Sequence, residues 1–531
     1  MSGGLWRDAI AEGRTALGIE LGSTRIKACL VPLDEPASVI ALGAHEWENR
    51  WEDGRWTYSL DDVWTGIRDA VRRLREDALA RHGVMPDRFG SMGVSAMMHG
   101  YLAFDADGEL LVPFRTWRNT TAMQAASELV EAFGVNIPPR WSVAHVLQAI
   151  RDHEPHVHRI AHLTTLAGYV HWQLTGERVL GVGDASGMFP IDASGRAFDA
   201  ELLARFDRLV ADEGLGWRLA DVLPEIRTAG EDAGALTWAG SLLLDDGGGI
   251  APGAVLCPPE GDAGTGMVAT NAIAPRTGNV SAGTSIFAMI VLERPLAQLH
   301  TEIGVVATPA GDPAAIVHAN NGASELGEWA GLFARFAEAS GLPVDRDQVF
   351  ATLLAEAEAG APDAGGVLAY NLLAGEAILQ LPEGRPLVTR STDADLTLGN
   401  LMRAQVYAAF STLAIGMRVL ASEGVALDLM HAHGGLFRTE GVAQRLLAAA
   451  LDTTVAVSET ASEGGAWGMA LLAAYLDRAH EETLAEYLDR RVFHDARESR
   501  VAPDAADVTG FDAYLDRYRA GLPIQIAATA I

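Results

Sequence analysis

Cysteine is nearly absent: Cys29 and Cys257 are the only two in 531 residues. Both stand in apolar, strand-like runs, so small buried hydrophobes are expected rather than a disulfide or a metal pair. Basic residues are scarce beside acidic ones, 40 Lys and Arg against 70 Asp and Glu, for a formal net charge of -30. That disfavours a nucleic-acid partner, because phosphate backbones attract clustered cations. It leaves a nucleotide ligand open, since backbone N–H groups and a metal ion bind phosphates locally inside an acidic protein. No uninterrupted apolar run reads as long enough to span a bilayer, and residues 1–8 lack the apolar core of a signal peptide. The expectation is therefore no membrane partner and a reducing cytoplasm. There is no Walker A pattern and no Gly-x-Ser-x-Gly elbow. His153, His156 and His158 lie close together without a matching second group of ligands, and read as a solvated loop or helix edge.

What is present is a chain of ordinary globular composition, 49% hydrophobic and 21% charged, too long for one core. At least two domains are expected. Residues 1–14 read as a short leader, 15–274 as an N-terminal domain and 275–531 as a C-terminal one.

The stretch around which the rest is arranged is Val255-Leu256-Cys257-Pro258-Pro259-Glu260-Gly261-Asp262-Ala263-Gly264-Thr265-Gly266. It reads as a buried strand, a proline stop and a glycine-flanked loop carrying one aspartate. Such an aspartate is either a turn residue or a carboxylate exposed at the mouth of a cleft. A second pattern bears on the choice. Ile19 to Gly22-Ser23-Thr24 matches Val280 to Gly283-Thr284-Ser285, and the paired positions stand 261 residues apart. Each Gly-hydroxyl-hydroxyl turn is followed by an apolar strand, Ile26–Val31 and Phe287–Leu292. The repeat points either to two related domains or to a coincidence of two short hairpins.

Other elements follow from periodicity. Val63, Ile67, Val71 and Leu74 recur at helical spacing over 61–82, with Ser59 or Asp61 as N-cap. Residues 92–96 read as a buried strand ending in Met97-Met98-His99-Gly100, and 101–108 as a strand with an Asp-Gly turn. Thr116–Thr121 opens a helical run. Leu163–Leu174 reads as helix and 183–187 as a glycine-bounded polar loop. Further on, helices are expected near 325–337, 404–420, 442–451 and 469–476, with strands at 427–431 and 455–458. The loop His433-Gly434-Gly435-Leu436-Phe437 precedes a helix. Alternation of strands and helices is the α/β pattern.

The residues suit phosphoryl transfer. Two Gly-hydroxyl-hydroxyl hairpins can wrap donors around phosphate oxygens, and Gly434-Gly435 lets a ring or phosphate approach backbone. The apolar strand ending at Met98-His99 presents a polar side chain at its C-terminal end, the usual edge of an α/β cleft. Asp262 supplies a carboxylate able to orient an attacking alcohol and take its proton. A nucleotide cradle alone does not separate a kinase from an actin- or chaperone-like ATPase. The Met98-His99 and Trp117-Arg118-Asn119 segments favour the kinase.

Taken in order, these segments resemble the FGGY family of carbohydrate kinases, and within it the xylulokinases, over roughly residues 15–477. Ile19–Lys27 is similar to the first phosphate hairpin, and Ser95–Gly100 to the family's sugar segment. Thr116–Asn119 resembles its tryptophan-led segment, and Leu174-Thr175-Gly176 with Asp184–Gly187 the mid-domain signature. Gly261-Asp262 resembles the base-bearing loop, Ser281–Ser285 the second hairpin and Gly434-Gly435 the adenosine loop. The resemblance implies two actin-like, ribonuclease-H-like domains with an interdomain catalytic cleft. It implies Asp262 as general base, with Met98, His99, Trp117, Arg118 and Asn119 on the sugar. It also implies Ser23, Thr24, Lys27, Gly283, Thr284, Gly434, Gly435 and Thr439 on ATP, and Glu20 on Mg²⁺. The partner implied is a small-molecule sugar, a ketose or a polyol, and a homodimer is one assembly left open. Three departures stand out. Glu20 replaces the usual Asp, Met97 the usual Gln, and Arg118-Asn119-Thr120 continues the tryptophan segment differently. The acceptor therefore stays open among xylulose, L-ribulose, other pentuloses and polyols.

Overall fold

The protein was analysed as a computed structural model describing residues 6–439, 441–458 and 464–530, the Arg438 side chain aside. It divides into two compact units. The first contains residues 1–274, 305–314 and 460–496, and the second 275–304, 315–459 and 497–531. The expected boundary at 274/275 is thus crossed again later in the chain. Residues 305–314 and 460–496 depart from the single C-terminal block because their contacts lie with the first unit.

In the first unit the central sheet runs Val255–Leu256, Ser91–Ala96, Thr15–Leu21, Arg25–Pro32, Ala41–Glu46, with Glu260–Gly261 also beside Ser91–Ala96. Thr15–Leu21 is fully buried and pairs antiparallel with Arg25–Pro32 and parallel with Ser91–Ala96. A strand covered on both faces has no polar side to alternate, hence its continuous apolar run. Leu60–His82 packs on this sheet. Its Ser59 cap accepts from the Asp62 N–H, and Val63, Ile67, Val71 and Leu74 are buried. The helix Gly464–Tyr475, buried from Gly465 onward, also packs on the sheet and against Asp262–Ala269.

A second sheet of seven strands, formed mostly by residues of the second unit, runs Gly304–Ala307, Pro313–Ala319, Ile286–Val291, Thr277–Ala282, Leu429–His433, Thr454–Ser458, Glu498–Val501. The same motif recurs: Thr277–Ala282 pairs antiparallel with Ile286–Val291 and parallel with Leu429–His433. The two hairpins differ by one residue of register. Leu21 opposes Ile26, whereas Ala282 opposes Ile286. Leu398–Ser422 is long and apolar enough by length and composition to cross a membrane, against the sequence reading. It is largely buried in this unit, and its Arg403 pairs with Asp507 at 3.0 Å.

Several local expectations change. Within the supposed leader, Arg7–Ala11 is helical and Ile10 is fully buried in the core. Residues 182–185 form a buried helical turn rather than a polar loop. His156 is buried, with Nε2 2.7 Å from the Tyr101 hydroxyl, so it does not lie on a solvated edge. The helix after Trp117 begins at Met123, and the helix expected from Met469 begins at Gly464. Both cysteines are buried, and no disulfide joins them.

Candidate active site

Asp262 does not sit in a loop. It is the first residue of the helix Asp262–Ala269, with Gly261 extended as N-cap. The preceding strand sets its place, since Leu21, Ala96 and Gly261 are in register across three parallel strands. The chain leaves all three strand ends on the same side, carrying Gly22-Ser23-Thr24, Met97-Met98-His99 and Asp262. Side chains at the C-terminal ends of parallel strands are where α/β proteins gather ligand-binding groups.

The Asp262 side chain is half-buried, its carboxylate enclosed by protein and accepting from the Met98 backbone N–H at 3.2 Å. Burial, then the charge of Glu20, raise its pKa to about 6, against backbone N–H groups of Met98 and Ala263 that lower it. Behind it lies a second pair of carboxyls. Glu260 accepts from the Gly183 and Asp184 N–H groups at 3.3 and 3.0 Å. Asp184 accepts from the Thr165 hydroxyl at 2.6 Å, and its other oxygen is buried without a partner. Burial first and mutual repulsion second push Glu260 upward, while burial and the Asp262 charge push Asp184 upward.

His99 has φ +69, left-handed backbone that is costly for a non-glycine residue and recurrent at functional sites. Its Nδ1 lies 3.2 Å from the Gly187 carbonyl, which fixes that nitrogen as the donor and leaves Nε2 an acceptor. Burial and the nearby Arg140 charge lower its pKa to about 3, so the ring is neutral. The ring stacks on Trp141, 6.5 Å between centroids.

The Gly22-Ser23-Thr24 turn is braced from behind. Trp47 Nε1 donates to the Gly22 carbonyl at 2.7 Å, the Tyr58 hydroxyl donates to the Ser23 carbonyl at 2.6 Å, and the two rings stack at 4.2 Å. Ser23 is half-buried and Thr24 exposed. Lys27 Nζ lies 3.2 Å from Glu20 Oε2 as an ion pair, off the line of a hydrogen bond, and Oε2 has no hydrogen-bond partner. A Cβ at Gly465 would strike Glu20 Oε1, so the space beside that carboxylate depends on glycine. Among the described residues no three His, Cys, Asp or Glu converge on one point. A carboxylate with a buried oxygen that accepts no hydrogen bond suits Mg²⁺, which takes one or two carboxylates and completes its shell with phosphates and water.

In the second unit, Ser281 is in register with His433, so Gly283-Thr284 and Gly434-Gly435 follow neighbouring strand ends. Gly434 has φ +108, and a Cβ there would lie 2.5 Å from the Ala282 carbonyl, so only glycine fits. The Thr284 side chain is exposed, and its carbonyl accepts from the Gly322 N–H at 2.7 Å. Thr439 is half-buried at the end of the turn Gly435–Arg438.

The tryptophan segment divides. Trp117 and Arg118 are exposed, the guanidinium 4.4 Å above the Trp56 ring. Asn119 is buried and all its amide atoms are engaged. It accepts from the Trp56 N–H at 2.8 Å and donates to the Trp56 and Thr116 carbonyls at 2.8 and 3.0 Å. These bonds clamp the strand Arg55–Thr57. Sequence reading missed Glu260 and Asp184 as site-forming groups. The only signal was the position of Glu260 and Asp184 inside segments already singled out.

A hairpin-led sheet that recurs in each half, each copy followed by a Gly-hydroxyl turn and one by a carboxylate at a strand end, defines a two-unit α/β class. Residues 15–242 match the N-terminal domain and residues 278–476 the C-terminal domain of the FGGY family of carbohydrate kinases, and the chain belongs to that family. It is 26% identical over 231 residues to a glycerol kinase of Thermococcus gammatolerans, covering 41% of this chain and 44% of the relative. It is 26% identical over 253 residues to a xylulose kinase of Streptomyces coelicolor, covering 46% and 48%. The matches thus span under half the length of these curated relatives. A solved xylulose kinase from Rhodospirillum rubrum superposes with a TM-score of 0.77 at 21% identity, over 96% of this chain and 98% of that one. A gluconate kinase from Lactobacillus acidophilus gives 0.77 at 15% identity, over 96% and 98%. At these identities the likeness shows the fold, the two-domain α/β arrangement of the family.

Proposed function

We propose that the protein is an ATP-dependent kinase that phosphorylates a hydroxyl of a small sugar, with Asp262 as general base. The reference acceptor is a ketose such as xylulose, with other pentuloses and polyols as alternatives. Family membership supports the reaction class. The names of the relatives, covering xylulose, glycerol and gluconate, support a polyhydroxylated acceptor and do not choose among its kinds.

The observation that carries the reading is the Asp262 carboxylate. It is enclosed, held by the N–H of Met98, the residue before His99, and raised to about 6. A base with a pKa near the working pH is mostly ionised yet basic enough to draw a proton from an alcohol. Asp262 takes the hydroxyl proton as the acceptor oxygen bonds to the γ-phosphorus and ADP departs. His99 Nε2 accepts from a second hydroxyl and orients the acceptor. Ser23, Thr24 and Lys27 in one unit, and Gly283, Thr284, Gly434, Gly435 and Thr439 in the other, would bind nucleotide and phosphates. Glu20 would hold Mg²⁺, whose charge offsets that of the transferring group.

A coupled ADP-release assay over ketoses and polyols tests the reading. Acceptor-dependent ADP release is expected. ATP hydrolysis indifferent to every acceptor would replace it with the actin- or chaperone-like ATPase reading.

A further inference from the structure

The two hairpin turns are pinned at equivalent atoms by unrelated means. In the first unit the Gly22 and Ser23 carbonyls accept from the Trp47 and Tyr58 side chains. Their counterparts, 261 residues on, are Gly283 and Thr284. Those carbonyls accept from the backbone N–H groups of Ala323 and Gly322, at 2.8 and 2.7 Å. A trans peptide sets each N–H opposite its carbonyl, and the described residues contain no cis peptide. The Thr284 and Ser285 N–H groups therefore face away from residues 322–323. Two N–H groups held on one side of a turn are donors suited to an anion.

The bracing loop is itself held by one buried amide. Residues 320–323 join the strand Pro313–Ala319 to the helix Ser324–Ala339. Asn321 Oδ1 accepts from the Leu373 and Ala374 N–H groups at 2.8 and 2.9 Å. Its Nδ2 donates to Glu376 Oε2 at 3.0 Å and to the Ala374 carbonyl at 3.2 Å. Its backbone N–H donates to the same Glu376 oxygen at 3.3 Å. Asn371 Nδ2 closes the set, donating to the Asn321 and Gly322 carbonyls at 3.0 and 2.8 Å. Asn321, Asn371 and Glu376 are all buried. There, an amide with its oxygen and nitrogen fully engaged has one orientation, since any other strands a buried polar group. The fit against the turn is equally close, because a Cβ at Gly322 would lie 2.5 Å from the Gly283 carbonyl.

We propose that Asn321 is the positioning residue of the Gly283-Thr284-Ser285 turn. Held by Glu376 and Asn371, it fixes the loop that pins the turn's carbonyls and so aims the Thr284 and Ser285 N–H groups at nucleotide phosphate. This rests on the reading of that turn as a phosphate site.

The test titrates ADP with Mg²⁺, and separately adenosine, calorimetrically into the full-length protein. Wild type is compared with Asn321→Ala, Glu376→Ala and Glu376→Gln, with the ADP-release assay run alongside. The ratio of ADP to adenosine affinity measures what the phosphates contribute. Asn321→Ala should lower that ratio by about tenfold or more, the scale of one charge-assisted hydrogen bond. Adenosine affinity and KM for the acceptor should stay within about twofold of wild type, well under a tenfold change. Glu376→Ala should lower the ratio in the same direction, with Glu376→Gln, which keeps an oxygen for the Asn321 donors, recovering it. An unchanged ratio in Asn321→Ala, or equal losses for ADP and adenosine, overturns the proposal. A Glu376→Gln ratio as low as that of Glu376→Ala overturns the part given to Glu376. If Asn321→Ala does not fold, Asn371→Ala and Glu376→Ala decide on the same ratio, a loss upholding the proposal and no change overturning it. Wild type that binds ADP no better than adenosine overturns the proposal together with the phosphate reading of the turn. Absent acceptor turnover with the ratio still lost in Asn321→Ala overturns the sugar-kinase reading and upholds the positioning role.

Discussion

Asp262 is poised between opposed influences. Burial and the Glu20 charge favour its neutral form, while the Met98 and Ala263 N–H groups favour the carboxylate. The balance puts its pKa at about 6, so kcat/KM should rise with pH through about 6 and level off above it, as for a base active only when ionised. A profile flat from pH 5 to 8, about one unit or more to either side, would remove Asp262 from the role. Glu260 makes a different expectation. Its folded pKa stands above the ordinary 4.5, so its contribution to stability is full below pH 4.5 and is lost as pH rises through the folded value. Glu260→Gln keeps hydrogen-bond acceptance and should flatten that decline in a urea-melt series. Glu260→Ala strands the Gly183 and Asp184 N–H groups and should cost about 2–4 kcal/mol. At this scale the sequence was partly legible. Asp262 was visible because glycines flank it, and Met98-His99 because they end an apolar strand. Glu260 and Asp184 were not, because nothing local shows that two carboxyls 76 residues apart meet behind Asp262.

At the scale of elements, periodic segments were read well and short ones were not. Leu60–His82 carries six turns of apolar spacing and a capping serine, and it forms as expected. The helix at Asp262 has only eight residues, two of them internal glycines, and the turn at 182–185 only four. Such pieces form because neighbours hold them, and they carry no readable period. The Thr265 carbonyl shows how closely these neighbours approach, since a Cβ at Gly468 would collide with it. The Gly22-Ser23-Thr24 turn likewise depends on a second element. Tyr58→Phe removes the hydroxyl that donates to the Ser23 carbonyl. It should cost about 1 kcal/mol and raise KM for ATP more than KM for the acceptor. An unchanged KM for ATP would show that the bracing does not matter to the nucleotide.

At the scale of the molecule, the duplicated hairpin was legible as a 261-residue repeat. The chain's later crossings between units were not, because no composition shift marks residues 305–314 or 460–496. The C-terminal segment had no evident role in the sequence. In the structure the helix Ala505–Gly521 inserts Phe511, Tyr514, Leu515 and Tyr518 into the core of the second unit, all fully buried. Asp507 there receives both Arg403 and Arg445, at 3.0 and 2.7 Å. Asp507→Ala leaves a buried guanidinium unpaired and should destabilise by about 3–5 kcal/mol, read as a lowered urea midpoint. A midpoint within error of wild type would show that the pair is not needed.

The most direct measurement compares wild type and Asp262→Asn in single-turnover phosphoryl transfer, with ATP affinity measured by calorimetry on both. The expected result is a rate lowered by about 10²–10⁴-fold with ATP affinity within about twofold of wild type, a difference well under the 1.4 kcal/mol of a tenfold change. Near-wild-type turnover in Asp262→Asn would contradict Asp262 as the base.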